Sequence, residues 1–87
     1  MKNYCYILLL IFQVSLAQST FENANKLYQQ EKYQYAANAY EGIINSGKHS
    51  AEVYFNLGNC YYKLHKIAPS IYNFEKALQL SPNDEEI

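Results

Sequence analysis

Arginine is missing from the 87-residue sequence, and lysine supplies all seven of its basic side chains. The lysines are spread along the chain and are outnumbered by eight acidic residues, so the charge pattern gives no sign of a nucleic-acid partner. The absence of arginine also removes the group that usually recognises phosphates and carboxylates through two parallel hydrogen bonds. We therefore expect no nucleic acid among the partners of this chain.

Catalytic and metal-binding patterns are missing as well. The two histidines, His49 and His65, are 16 residues apart, without metal-ligand spacing or a nearby acidic pair. The sequence has no Ser-His-Asp arrangement, phosphate-binding loop or dinucleotide-binding loop. We place His65 at a turn between helices and interpret Asp84–Glu86 as a solvated tail or the start of another helix. The prediction is a protein that is not an enzyme and that uses no cofactor and no metal.

Residues 1–17 have the features of a secretory signal peptide. Lys2 is the single early cation, an apolar run covers Ile7–Phe12, and small residues precede a cleavage point after Ala17. The alternative is an uncleaved membrane anchor. The apolar segment from Tyr4 to Leu16 has 13 residues, however, whereas a membrane-spanning helix needs roughly 20.

Cysteine is scarce in the chain that cleavage would leave. This remainder, Gln18 to Ile87, carries six lysines and eight acidic residues, for a net charge of −2, and a single cysteine, Cys60. An internal disulfide is then impossible. We interpret Cys60 as a small buried apolar residue on a helix. The alternative is a redox-active thiol, which would alkylate at a rate different from that of a free thiol.

Strand signals are nearly absent, and the sequence instead repeats itself. Prolines occur only at Pro69 and Pro82, and no Asn-Gly or Asp-Gly pair marks a hairpin turn. A 34-residue shift superimposes identical residues at several places. These pairs are Phe21 with Phe55, Asn25 with Asn59, Tyr28 with Tyr62, Lys32 with Lys66 and Glu41 with Glu75. The chain therefore contains a duplicated unit.

Each unit is predicted to form two short helices. The four helices are placed at 19–30, 33–46, 51–64 and 67–80. Ser50 is positioned to cap the third helix, and Pro69 falls within the first turn of the fourth, where its missing N–H is tolerated. Gly47 separates the two units.

The duplicated unit resembles the tetratricopeptide repeat. The second copy matches the motif at Tyr54, Leu57, Gly58, Tyr61, Phe74, Ala77 and Pro82, and departs from it at His65 and Ser70. The first copy keeps Ala24, Tyr33, Ala36 and Tyr40. The resemblance implies an all-α fold in which two antiparallel helix hairpins stack as a short right-handed α-solenoid. The domain would cover 18–84, with units at about 17–50 and 51–84 and a tail at 85–87.

Gly58 stands in the middle of a predicted helix, where a glycine costs roughly 1 kcal/mol relative to alanine. We expect it to let the two helices of the second unit approach closely, with Ser70 and Ala77 as the facing small residues. Ala24 and Ala36 would have this role in the first unit. The aromatic residues would fill the space between layers.

In this family the first helix of each unit lines a concave groove that holds a partner segment. The inward positions hold Phe21, Asn25, Tyr28 and Gln29 in the first unit, and Glu52, Phe55, Asn59, Tyr62 and Lys63 in the second. Asparagine amides can pair with a peptide backbone as donors and acceptors, and tyrosines supply contact area. The resemblance therefore implies a protein or peptide partner. As an alternative, Phe21 could pack against Phe55, and the asparagines could bond to neighbouring helix ends.

One subclass of these repeats grips a C-terminal carboxylate through basic residues and asparagines. Asn25 and Asn56 match two of its positions, so Asn56 joins the groove residues. Phe21, however, stands where the first lysine should be, and the third repeat with two basic residues is lacking. These departures disfavour the hypothesis that the chain binds a C-terminal carboxylate.

The order of motifs is also similar to the N-terminal part of BatE-type tetratricopeptide proteins of the Bacteroides aerotolerance (Bat) operon. The likeness includes Y-F-N-L-G-N-x-Y-Y-K-L and P-S-I-Y-N-F-E-K-A-L. It implies export to the periplasm or envelope of a Gram-negative bacterium, with other Bat-type proteins as possible partners, and a chain that is a short or truncated form. Two repeats also leave apolar ends, so self-association into a longer superhelix is the alternative function.

Overall fold

The computed structural model describes residues 20–81, which form four α-helices and contain no strand. Helix α1 covers 20–29, α2 covers Tyr33–Asn45, α3 covers Ala51–Lys63 and α4 covers Ile67–Leu80. The prediction of an all-α fold with four helices is confirmed. Within the described range, none of the helices combines the length and apolarity that a membrane crossing requires. The predicted signal peptide, Pro82 and the acidic run after it lie outside these residues.

The helix ends follow the local sequence. The Ser50 hydroxyl accepts a hydrogen bond from the backbone N–H of Val53 at 3.2 Å, which confirms the predicted cap of α3. Pro69 is the third residue of α4, where its ring meets no earlier turn. Gly47 follows α2 with a φ of 98°, a conformation that glycine adopts without a steric cost.

The turn inside each hairpin has the same backbone geometry. Glu31 and His65, which the 34-residue shift relates, both have a φ of 63°. In each turn the next residue's N–H bonds back to a carbonyl of the preceding helix: Lys32 to Leu27 and Lys66 to Tyr61, both at 2.9 Å. This pattern ends a helix with a left-handed residue, usually glycine. The turn prediction for His65 is confirmed.

The hydrophobic core lies where α1, α2 and α3 meet. Its largest fully buried side chains are Tyr40, Leu57 and Cys60. The other core members are Ala24, Ala36, Ala37, Ile43 and Val53. Cys60 is therefore the buried apolar residue that we expected, and burial raises the pKa of its thiol to about 11.

Helices α3 and α4 pack closely at Gly58, as predicted. A Cβ placed on Gly58 would lie 2.7 Å from two ring carbons of Phe74, closer than packed atoms approach. The Ser70 hydroxyl, also buried, donates a hydrogen bond to the Gly58 carbonyl at 2.9 Å. The atoms nearest to Gly58 belong to Phe74 and not to Ala77, which is only partly buried farther along α4.

Candidate functional site

A polar hollow of about 230 Å³ opens between α1 and α3, with α2 beneath it. Five of the predicted groove residues line it, together with Tyr40 of α2. The five are Asn25, Tyr28 and Gln29 from α1 and Asn56 and Asn59 from α3. Helical spacing explains the grouping, because residues three or four apart lie on one side of a helix.

Tyr40 and Asn25 form the base of the hollow. The Tyr40 hydroxyl donates a hydrogen bond to the Asn25 side-chain oxygen. The Asn56 amide donates to the same oxygen at 3.5 Å and so links the first helices of the two units. Burial, followed by the nearby Cys60, raises the pKa of Tyr40 to about 12, so its hydroxyl stays protonated and remains a donor.

Several hydrogen-bonding groups in the hollow have no partner among residues 20–81. The oxygen of Asn25 takes both bonds, which leaves its NH₂ group able to donate. The Asn59 side chain, half-buried, hydrogen-bonds to none of the described residues, and the Gln29 side chain is exposed. No charged side chain from the described residues lines the hollow. The site therefore offers amide donors and acceptors to an uncharged polar group.

Five of the ten predicted groove residues lie elsewhere. Phe21 and Glu52 line a separate hollow of about 780 Å³ near the start of α3. Phe55 lines a third hollow of about 330 Å³ between α3 and α4, which Glu52 also touches. Tyr62 and Lys63 are exposed on the last turn of α3 and line none of these three hollows.

The two repeated phenylalanines do not pack against each other across the unit boundary. Phe21 meets the edge of the Tyr40 ring, with centroids 6.2 Å apart and ring planes at 70°. Phe55 meets Phe74 in the same way, at 5.6 Å and 63°. The two ring pairs are related by the 34-residue shift. Each phenylalanine therefore packs against the second helix of its own hairpin.

Tyr40 lines the hollow, although the sequence predicted it only as a residue of the packed interior. Its ring is buried, but its hydroxyl reaches the hollow and donates a hydrogen bond to the Asn25 side chain. The available signal was the difference from its counterpart Phe74, because a buried tyrosine usually brings a hydroxyl that needs a partner.

Metal-binding side chains do not gather in the described part of the chain. It contains no cluster of three or more His, Cys, Asp or Glu side chains that could hold a metal ion. His49 contacts Tyr54 instead: its Nδ1 lies 2.9 Å from the tyrosine hydroxyl, and the two rings stack.

One segment of the chain matches a known protein family. No curated protein matches the chain. The family model described as "Tetratricopeptide repeat" matches residues 51–84, which contain α3, α4 and the Gly58 contact between them. Repeats of this family typically act as non-catalytic scaffolds in protein–protein interactions. The hairpin of α3 and α4 is thus similar to a tetratricopeptide repeat.

Proposed function

We propose that this protein is a non-catalytic interaction module that binds an extended, uncharged peptide segment in the hollow between α1 and α3. The observation that carries the proposal is a set of amide groups with unused hydrogen-bonding capacity, in a hollow with no charged lining among the described residues. The family match supports a protein or peptide partner.

The binding mechanism follows from the hydrogen-bonding capacity of asparagine. The Asn59 amide can donate to a backbone carbonyl and accept from a backbone N–H of the same peptide. The NH₂ group of Asn25 can donate to a second carbonyl, because its oxygen is held by Tyr40 and Asn56. These two hydrogen bonds fix the orientation of the Asn25 amide before the peptide binds. Less conformational entropy is therefore lost on binding.

We further propose that the module works in the cell envelope, as part of an assembly of the Bat type. The support is the pattern of residues 1–17, which is typical of an export signal, and the succession of motifs after it. Fractionation of producing cells tests this step independently of peptide binding. An envelope location of the processed chain is expected, and a cytoplasmic location of the intact chain would contradict it.

The binding proposal is tested with peptides selected on the purified chain from a random library. A selected peptide is titrated against the parent protein, Asn59→Ala and Asn23→Ala. Asn23 is exposed on α1 and does not line the hollow, so it provides a matched control. We expect Asn59→Ala to weaken binding roughly tenfold, through one or two lost hydrogen bonds, and Asn23→Ala to leave it unchanged.

Salt separates this proposal from recognition of a carboxylate. Binding through neutral amides should change little between low and high ionic strength, because no ion pair is screened. Equal losses in the two asparagine variants, or selected peptides that lose affinity steeply with salt, would contradict binding in this hollow.

A further inference from the structure

Helix α4 carries an apolar stripe that the described part of the protein covers only at Phe74, which packs against α3. Of the eight large apolar side chains that are most exposed in the described residues, five lie on α4. Three of them, Ile67, Ile71 and Leu78, fall on one side of the helix beside the partly buried Phe74. We call these four residues the α4 stripe. Their spacing of four, three and four residues is that of a seam along which two helices pack.

Two of the four matching positions in the first unit are already fully buried. The 34-residue shift relates Ile71 to Ala37 and Phe74 to Tyr40. Ala37 is 0% exposed where α3 packs against α2, and Tyr40 is 1% exposed with α1 also packed against it, whereas Ile71 is 51% exposed. In the first unit, this side of the second helix (α2) packs against another helix (α3). The matching side of α4 is therefore suited to pack against a helix as well.

Head-to-tail stacking of copies does not provide that helix. In such a stack α1 of the next copy would take the place of α3. The residues of α3 in the core include Leu57 and Cys60, and their counterparts on α1 are Asn23 and Lys26, both exposed. Burying a lysine and an asparagine against the α4 stripe would cost free energy that no partner on the stripe offsets. The open superhelix is therefore disfavoured.

We propose that the α4 stripe is covered by the α4 stripe of a second copy, with the two helices antiparallel about a two-fold axis. Among the four helices of a second copy, α2 and α3 already use their apolar faces against each other, and α1 presents the polar residues named above. The spacing of the stripe reads the same in both directions. An antiparallel pair therefore sets Ile67 opposite Leu78, and Ile71 opposite the part of Phe74 that Gly58 and Phe55 leave exposed.

The resulting dimer is closed. Each copy uses the same surface, so the contact ends at two copies and does not propagate into a fibre. The antiparallel arrangement also places the N-terminal end of each helix dipole beside the C-terminal end of the other. The polar hollow between α1 and α3 stays outside the contact, so this proposal does not depend on peptide binding.

Sedimentation equilibrium on the full chain tests the dimer, with Ile71→Lys and Tyr72→Lys as the matched pair. Tyr72 is as exposed as Ile71 but lies off the stripe. The parent chain and Tyr72→Lys should be dimers of equal strength. Ile71→Lys should raise the dissociation constant roughly 100-fold or more, because a two-fold interface loses the contact twice. Circular dichroism shows whether each variant keeps its helices.

A second pair of variants tests the antiparallel arrangement. Ile67→Lys and Leu78→Glu should each weaken the dimer alone. Mixing the two should restore it, because a mixed dimer sets the lysine against the glutamate and leaves the other contact apolar. A parent chain that stays monomeric, an equal loss in Ile71→Lys and Tyr72→Lys, or no recovery on mixing would overturn the proposal.

Discussion

Helices α2 and α4 occupy equivalent places in the two units, yet their environments differ. Helix α2 buries Ala36, Ala37, Tyr40 and Ile43, which are all apolar or aromatic. Helix α4 buries only Ser70 and Asn73, and both are polar. The difference follows from the position of α3, which packs against both helices but covers the outer side of α2 alone. In a stacked repeat, the burial of a residue is set by the next unit as much as by its own sequence.

The polar residues of α4 illustrate how the second hairpin is stabilised. Ser70 bonds to the Gly58 carbonyl, and the Asn73 amide donates to the Pro69 carbonyl at 2.7 Å. Both side chains are satisfied inside the second unit and need no third unit. The interface between α3 and α4 therefore combines one polar bond, from Ser70, with a close aromatic contact, whereas the Asn73 bond lies within α4. The core between the units is almost entirely apolar.

The most damaging change to the second unit is expected at Gly58. Gly58→Leu would place several carbon atoms where the Phe74 ring now lies. We expect a loss of about 3 kcal/mol or more in the free energy of unfolding, enough to abolish cooperative unfolding in a domain of this size. Thermal melts followed by circular dichroism measure the loss.

A smaller change at the same site supplies the control. Gly58→Ala gains roughly 1 kcal/mol in helix propensity, but its Cβ still overlaps the Phe74 ring. The single variant should be destabilised. In a Phe74→Ala background, where the ring is gone, the same substitution should be neutral or stabilising. Destabilisation of equal size in both backgrounds would show that the contact with Phe74 is not the cause.

Alkaline pH should act first on the core between the units. The pKa of Cys60 rises from 9.0 to about 11 on folding, and that of Tyr40 rises from 10.0 to about 12, both mainly through burial. Each group therefore stabilises the fold fully below its unfolded pKa. That stability is lost as the pH rises from about 9 to 11 for Cys60, and from about 10 to 12 for Tyr40.

Melting temperatures between pH 7 and pH 11 test this. They should be level up to about pH 8.5 and fall above it. Cys60→Ala should delay the fall, because the first group to titrate has been removed. Phe74, the counterpart of Tyr40, cannot ionise, so the matching position of the second unit adds no such sensitivity. An unchanged pH profile in Cys60→Ala would contradict the assignment.

Tyr40→Phe makes the first unit like the second at the aromatic position. The ring and its contact with Phe21 would remain, but the hydrogen bond from the hydroxyl to Asn25 would be lost. We expect a loss of about 1 kcal/mol, typical of one buried hydrogen bond. Urea unfolding of Tyr40→Phe, Asn25→Ala and the combined variant isolates this bond. Strictly additive losses would mean that the two side chains do not interact.

The sequence was sufficient for the helices, the Ser50 cap and the close approach at Gly58, because each depends on local patterns or on the 34-residue repeat. It was less informative about side chains near the groove. Tyr62 shares its repeat position with Tyr28, yet only Tyr28 lines the polar hollow. The rotation of each helix against its neighbours, and the point along the helix where α1 and α3 separate, decide which repeated residues converge. Neither quantity is encoded in one helix alone.

The smallest expected effect on stability concerns the Ser70 hydroxyl. The matching position in the first unit is Ala36, which has no hydroxyl. Ser70→Ala would make the two units alike there. The Gly58 carbonyl would lose the bond from the hydroxyl but keep its place in the α3 backbone, so no buried group would be left without a partner. We therefore expect a loss of only about 0.5–1 kcal/mol, at the low end for a buried hydrogen bond.

Chemical denaturation can resolve this difference, with Ala36→Ser as the reciprocal variant. Its hydroxyl would enter the fully buried, apolar core between the units. The residue equivalent to Gly58 in the first unit is Ala24, whose methyl group takes up space that the glycine leaves open. A loss in Ala36→Ser larger than that in Ser70→Ala is expected, because a buried hydroxyl without a close acceptor costs more than a lost bond. Equal losses would show that the serine suits both units and does not depend on the glycine of the facing helix.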